Sequence, residues 1–158
     1  MTRTEIIADD DAWALAVSGR LVMTVWRKDV TLARVQLVDR TIAKHVPTLG
    51  GAKYCSITLL EPGLSMGLPD DARAASTALQ KRWGPHAACS AYVVFGEGFL
   101  AASVRTLTAG MALVTRSPHP IKVFSDSQVC ASWVAAFADL SPGEVVVALN
   151  QARSSTRR

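Results

Sequence analysis

At 158 residues, with 49% hydrophobic and 19% charged side chains, the chain is long enough for one domain with a real core and too short for two. That composition excludes disorder for the bulk, and no uncharged apolar run reaches the ~18 residues of a membrane span. The formal charge of +4 comes from 17 basic and 13 acidic residues, yet Arg153, Arg157 and Arg158 all lie in the last segment. Without those three, 14 basic residues face 13 acidic ones. A groove that tracks phosphates needs cations clustered on a folded face, so no nucleic-acid partner is expected.

The first twelve residues carry Glu5, Asp9, Asp10 and Asp11 and lack the basic-then-apolar order of a signal peptide. They read as a flexible acidic N-terminus, and a cytoplasmic location is the expectation. Next, Trp13 to Ser18 and Leu21 to Trp26 flank Gly19-Arg20, a spacing that predicts a tight hairpin. From Asp29 to Val46 the apolar residues Leu32, Val35, Val38, Ile42 and Val46 recur at helical spacing, with Asp29 or Thr31 as cap and Pro47 and Gly50-Gly51 as stops. Tyr54 to Leu60 reads as a third strand. Pro69, Asp70 and Asp71 suit the first turn of a second helix ending near Trp83, before Gly84-Pro85.

Cys89 to Phe95 is the fourth expected strand, and Gly96-Glu97-Gly98 turns the chain into an Ala- and Leu-rich third helix over 99–115. Ser117-Pro-His-Pro120 is a stiff connector, because each proline restricts itself and its predecessor. Ile121 to Phe124 is a fifth strand, and Asp126 or Ser125 caps a fourth helix. Ser141-Pro-Gly-Glu144 has the form of a capping box, which predicts a last helix to about Ala152. The expectation is a single α/β domain over 13–152 with a basic flexible tail over 153–158. Its five-stranded mixed sheet begins with an antiparallel hairpin and continues in parallel βα repeats. Alternation along the strands groups Trp13, Leu15 and Val17 with Cys55, Ile57, Leu59, Ala91, Val93, Ile121 and Val123 on one apolar face. Tyr54, Tyr92 and Phe124 fall on a more polar face, together with Ser56, Thr58, Ser90 and Lys122. The helices are therefore expected mainly on the first face, leaving the second for solvent, for partial cover by the last helix, or for a homodimer through Tyr54, Tyr92 and Phe124.

This order of strands and helices, closest over Ala88 to Phe137, resembles the STAS and SpoIIAA-like domains, whose broader relatives include the lipid-binding Sec14 group. The resemblance implies a bacterial-type regulatory module that works by docking a partner or by self-association. Anti-anti-sigma STAS proteins carry a phosphorylatable serine in a motif like Asp-Ser-x-Gly-Leu at the helix after the third strand. Here Leu64-Ser65-Met66-Gly67-Leu68 corresponds, with Leu64 in place of the Asp and Pro69 moving the helix start downstream. Ser65, Gly67 and Leu68 are thus the candidate docking loop, where a phosphate would add a dianion near a helix N-terminus.

Other chemistry is sparse. Gly96, Glu97 and Gly98 form a candidate anion or ligand turn, although Glu97 would repel a phosphate. His45, His86 and His119 have no metal-ligand spacing, and Cys55, Cys89 and Cys130 no C-x-x-C spacing; buried, reduced thiols are expected, with no metal and no cofactor. Glu61 and Glu97 stand at the ends of neighbouring strands, but nothing in the sequence sets a nucleophile beside them, so no enzyme is expected. Two functions survive. One is a non-catalytic interaction module, favoured by alanine-rich helices that pack closely. The other is a small-molecule or lipid-binding domain with an apolar pocket between helix 99–115 and the sheet, lined by residues such as Phe99, Leu107 and Met111.

Overall fold

A computed structural model describes residues 3–65, 67–96 and 118–154. Among them the strands are β1 (Glu5–Asp9), β2 (Trp13–Ser18), β3 (Leu21–Trp26), β4 (Tyr54–Leu60), β5 (Ala87–Val94) and β6 (Ile121–Phe124). The α-helices are α1 (Leu32–His45), α2 (Asp70–Trp83), α3 (Ser127–Ala138) and α4 (Pro142–Ser154). The expected helix over 99–115 lies outside the described residues.

The six strands lie in sequence order across one sheet; β1, β2 and β3 are antiparallel, and β3 to β6 run parallel. Gly19 makes the β2–β3 turn at a φ of 55°, a left-handed conformation that costs glycine little. The sixth strand corrects the five-stranded expectation. Glu5 and Asp9 mark the N-terminus as acidic, but Ile6, Ile7 and Ala8 between them pair against β2 through a bulge. Asp10 then accepts from the amides of Ala12 at 2.7 Å and Trp13 at 3.1 Å, closing the turn, while Arg27 reaches Asp9 at 3.3 Å. Local turn chemistry and one long-range cation thus order a segment expected to be flexible.

Both faces of the sheet are covered, which corrects the expectation of helices mainly on one. The β3–α1–β4 and β4–α2–β5 crossovers step across the sheet in one direction, and right-handed crossovers put both helices on the same side. There Trp13, Leu15, Val17, Val22, Trp26 and Tyr54 pack with Val35, Ile42 and Ala72 of the helices. Helices α3 and α4 take the opposite face, where Ala14, Ala16, Met23, Cys55, Ile57, Ala91 and Val93 meet Cys130, Ala131, Val134, Val145, Ala148 and Leu149. The small residues at this contact let the helix backbones approach the sheet closely.

The register explains the mistaken face. Val22 stands beside Ser56 and Thr24 beside Thr58, so the large residues of β2 share a side with the hydroxyls of β4 rather than with Ile57 and Leu59. Likewise Phe124 stands beside Val93 and faces α3, while Val123 stands beside Tyr92. Tyr54 and Phe124 are 4% and 5% exposed and belong to opposite cores, so Tyr54, Tyr92 and Phe124 do not form one open interface.

The helix ends follow their side chains. Thr31 caps α1 through Arg34 N, and Asp126 caps α3 by accepting from Gln128 N and Val129 N. Ser141 and Glu144 complete a reciprocal capping box, with bonds of 2.8 and 3.2 Å. Helix α4 continues through Arg153, so that residue belongs to the fold and not to a flexible tail: its guanidinium bonds both oxygens of Glu61 and lies 3.6 Å from the Phe95 ring centroid.

Candidate functional site

Between α1, α2 and the sheet lies a cavity of about 480 Å³. Its floor is built by the outward positions of the central strands, Thr24 of β3, Ser56 and Thr58 of β4, and Ser90 and Tyr92 of β5. These side chains are small or polar where a doubly covered sheet ordinarily carries valine and isoleucine, and the residues of α1 and α2 leave the space above them unfilled. Val35, Val38 and Ile42 of α1 and Leu79 of α2 make the apolar wall. Gln80, Pro118 and His119 border the polar end. A pocket of this size with few convergent polar groups is within the range of small-molecule sites, ~300–1,000 Å³.

The hydroxyl-bearing floor has one organised cluster. His119 stands in the stiff connector ahead of β6, which Ser90 N fixes to β5 by donating to Pro120 O at 2.9 Å. Its Nδ1 is 3.0 Å from the Gly84 carbonyl oxygen, and its Nε2 is 2.8 Å from Ser90 Oγ. A carbonyl oxygen only accepts, so Nδ1 carries the hydrogen; Nε2 is the lone-pair nitrogen and Ser90 donates to it. Burial lowers the His119 pKa, which the bond to Gly84 partly opposes, and the charge of Lys53 lowers it further. Nearby, Gln80 Nε2 donates to the Tyr92 hydroxyl at 3.4 Å, and burial holds that phenol protonated.

The other sequence candidates fall elsewhere. Ser65 and Gly67 are exposed in the β4–α2 loop, with Gly67 N donating to Ser65 Oγ at 3.4 Å, while Leu68 turns inward to line the cavity. Ser65 is not at the start of α2, whose first turn carries Asp70 and Asp71; a phosphate brought there would meet two carboxylates. Gly96 follows β5 with a φ of 104°, and Glu97 and Gly98 lie outside the described residues. So do Phe99, Leu107 and Met111, which the sequence assigned to a pocket wall; the cavity described here is walled by α1 and α2. Glu61 is engaged with Arg153.

The three cysteines are free and buried. Burial pushes the Cys130 thiol up to about 12, and the hydrogen bond with Cys55, with burial added, raises that of Cys89. No group of three metal-ligating side chains is brought together among the described residues. No single helix there is long and apolar enough to cross a membrane. By sequence His119 reads as a connector residue and Ser90 as one position on the polar strand face, so the pair carries little signal. Its one available signal was the pair of prolines that stiffen the connector around His119.

No protein-family model matches the chain, and no curated protein does. Among solved structures it is similar to an uncharacterized protein of the DUF3478 family from Shewanella loihica PV-4, described as having a SpoIIAA-like fold. The two share 15% sequence identity, the match covers 84% of this chain and 92% of the other, and the TM-score is 0.53. At that identity the likeness speaks for the fold alone, and the order of strands and helices found here agrees with it. The chain is a single α/β domain with a SpoIIAA-like fold.

Proposed function

We propose that this chain is a SpoIIAA-like regulatory module that takes up a small, mainly apolar molecule between α1, α2 and the sheet. The observation that carries the reading is the 480 Å³ cavity, whose apolar helix wall faces a floor of hydroxyls. A ligand there buries its hydrocarbon against Val35, Val38, Ile42 and Leu79 and directs its polar atoms to Ser56, Thr58, Ser90 and Tyr92. Each buried CH₂ contributes about 0.8 kcal/mol, and the hydroxyls select orientation more than affinity.

Leu68 lines the same cavity from the loop that exposes Ser65. Occupancy therefore acts on the loop that the SpoIIAA-like resemblance associates with partner docking. In this reading the ligand is the signal and the loop is the surface that reports it.

The test is a titration with N-phenyl-1-naphthylamine, a neutral apolar dye whose fluorescence rises on burial. Saturable binding by the native chain is expected, and Thr58→Phe, which fills the floor, should weaken it at least tenfold while the circular dichroism spectrum is kept. Absence of saturable binding, or equal binding by a folded Thr58→Phe variant, overturns the reading.

A further inference from the structure

We propose that Ser90 is a nucleophile activated by His119, and that the molecule taken up in the cavity is a carboxylic ester with an apolar acyl group. The inference rests on the cavity reading above and adds a chemical step to it. Its basis is a chain of three groups: the Ser90 hydroxyl, the His119 ring 2.8 Å away, and the Gly84 carbonyl 3.0 Å beyond the other ring nitrogen.

Each link has a chemical consequence. The Gly84 carbonyl selects the tautomer in which Nε2 is the base, and it stabilises the imidazolium that forms when that nitrogen takes a proton. A backbone carbonyl does this without placing a full negative charge in the cavity. The neutral ring required at the start is also what burial enforces. Ser90 and His119 both line the cavity, so the nucleophile lies where an acyl group resting on the apolar wall would end. Tyr92 lies two positions along the same strand face, and because its oxygen accepts from Gln80 its own proton is available to a ligand oxygen.

The step balances with water alone. Ser90 Oγ bonds to the acyl carbon as its proton passes to His119 Nε2, with the carbonyl oxygen drawing on the Tyr92 hydroxyl. The ester C–O bond then breaks and the alcohol leaves with the proton from Nε2. Water next gives a proton to Nε2 and its oxygen to the acyl carbon, the acyl–Oγ bond breaks, and Oγ recovers the proton. The products are an alcohol and a carboxylic acid.

The experiment treats the whole chain with an alkyl fluorophosphonate, which transfers phosphorus to an activated serine with loss of fluoride, and maps the adduct by mass spectrometry. An adduct on Ser90 is expected, together with turnover of p-nitrophenyl butyrate that Ser90→Ala abolishes. His119→Gln should slow labelling about 100-fold or more, the usual contribution of a general base. In the unmodified chain the labelling rate should be level above pH 7 and fall through a midpoint below 6.5, the ordinary histidine value. Among the described residues, the charge of Lys53 acts on the ring, and Lys81 and Tyr92 are the other titratable groups that line the cavity.

Absence of a Ser90 adduct in the native chain overturns the proposal, and so does an unmodified chain that is labelled no faster than the folded His119→Gln variant. The two proposals separate on that same chain: dye binding without an adduct removes the chemical step and leaves uptake standing. Absence of dye binding removes both.

Discussion

Trp83, at the last turn of α2, donates its indole N–H to Asp39 of α1 at 2.6 Å. The second oxygen of Asp39 accepts from Arg82, also at 2.6 Å. One carboxylate thereby ties together the two helices that roof the cavity, and their spacing follows from a polar contact as well as from packing. Asp39→Ala should lower the free energy of unfolding by about 1–2 kcal/mol, mostly through the indole N–H left in a half-buried site. Urea denaturation followed by tryptophan fluorescence would measure it, and an unchanged midpoint would show that the helices hold their spacing by packing alone.

Arg153 and Glu61 form the corresponding tie on the other side of the sheet. The guanidinium bonds two carboxylate oxygens and stacks over Phe95, so its loss removes a bidentate ion pair and a cation–π contact together. Because Arg153 is 39% exposed, solvent screening limits the effect, and Arg153→Ala should cost about 1 kcal/mol. The loss should shrink as salt is added, which a thermal melt at low and high ionic strength would detect.

The apolar wall of the cavity also supports the fold. Ile42 is 2% exposed and packs in the core beneath α1. Ile42→Ala should destabilise the chain by about 2–4 kcal/mol, since the neighbouring void prevents the site from collapsing around the deletion. Chemical denaturation would give the value. Addition of a saturating apolar ligand should recover part of it by mass action.

Stability should fall on mild acidification. In the unfolded chain His119 binds a proton with a pKa near 6.5, and in the folded chain burial lowers that value. The unfolded state thus holds more protons in the window below 6.5, and the contribution present above that pH is lost as pH falls towards the folded pKa. Melting temperature compared at pH 7.5 and pH 5 should show this drop, and His119→Gln should flatten it.

The thiols should resist reagents until the chain opens. Cys55, Cys89 and Cys130 are each 0% exposed, so reagents cannot reach them, and burial pushes the Cys130 thiol to about 12, which keeps its thiolate scarce as well. Ellman's reagent should leave native protein unmodified over an hour and titrate all three in guanidinium. Rapid reaction of one thiol in the native state would locate a site of local opening.

The elements themselves were legible in order. Gly19-Arg20 between two apolar runs gave the hairpin, Thr31 and Asp126 capped their helices, and Ser141 and Glu144 formed the box that their spacing called for. Strand β1 was less so, because its charged ends obscured a three-residue apolar centre. What ordered it was Asp10 folding back on the backbone and Arg27 arriving from β3.

The cavity and its hydrogen-bonded serine and histidine lay beyond such reading. Ser90 and His119 are separated by a crossover to a neighbouring strand, and Gly84 ends the preceding helix. No spacing rule links three groups brought together by sheet pairing. The sequence by itself determined an α/β domain of alternating strands and helices, because periodicity, caps and glycine or proline stops act within a few residues of one another. Only the tertiary structure decided that both faces of the sheet are covered, that Tyr54 and Phe124 are buried apart, and that small hydroxyls floor a cavity. Those outcomes depend on strand register, in which a shift of a single residue exchanges the two faces.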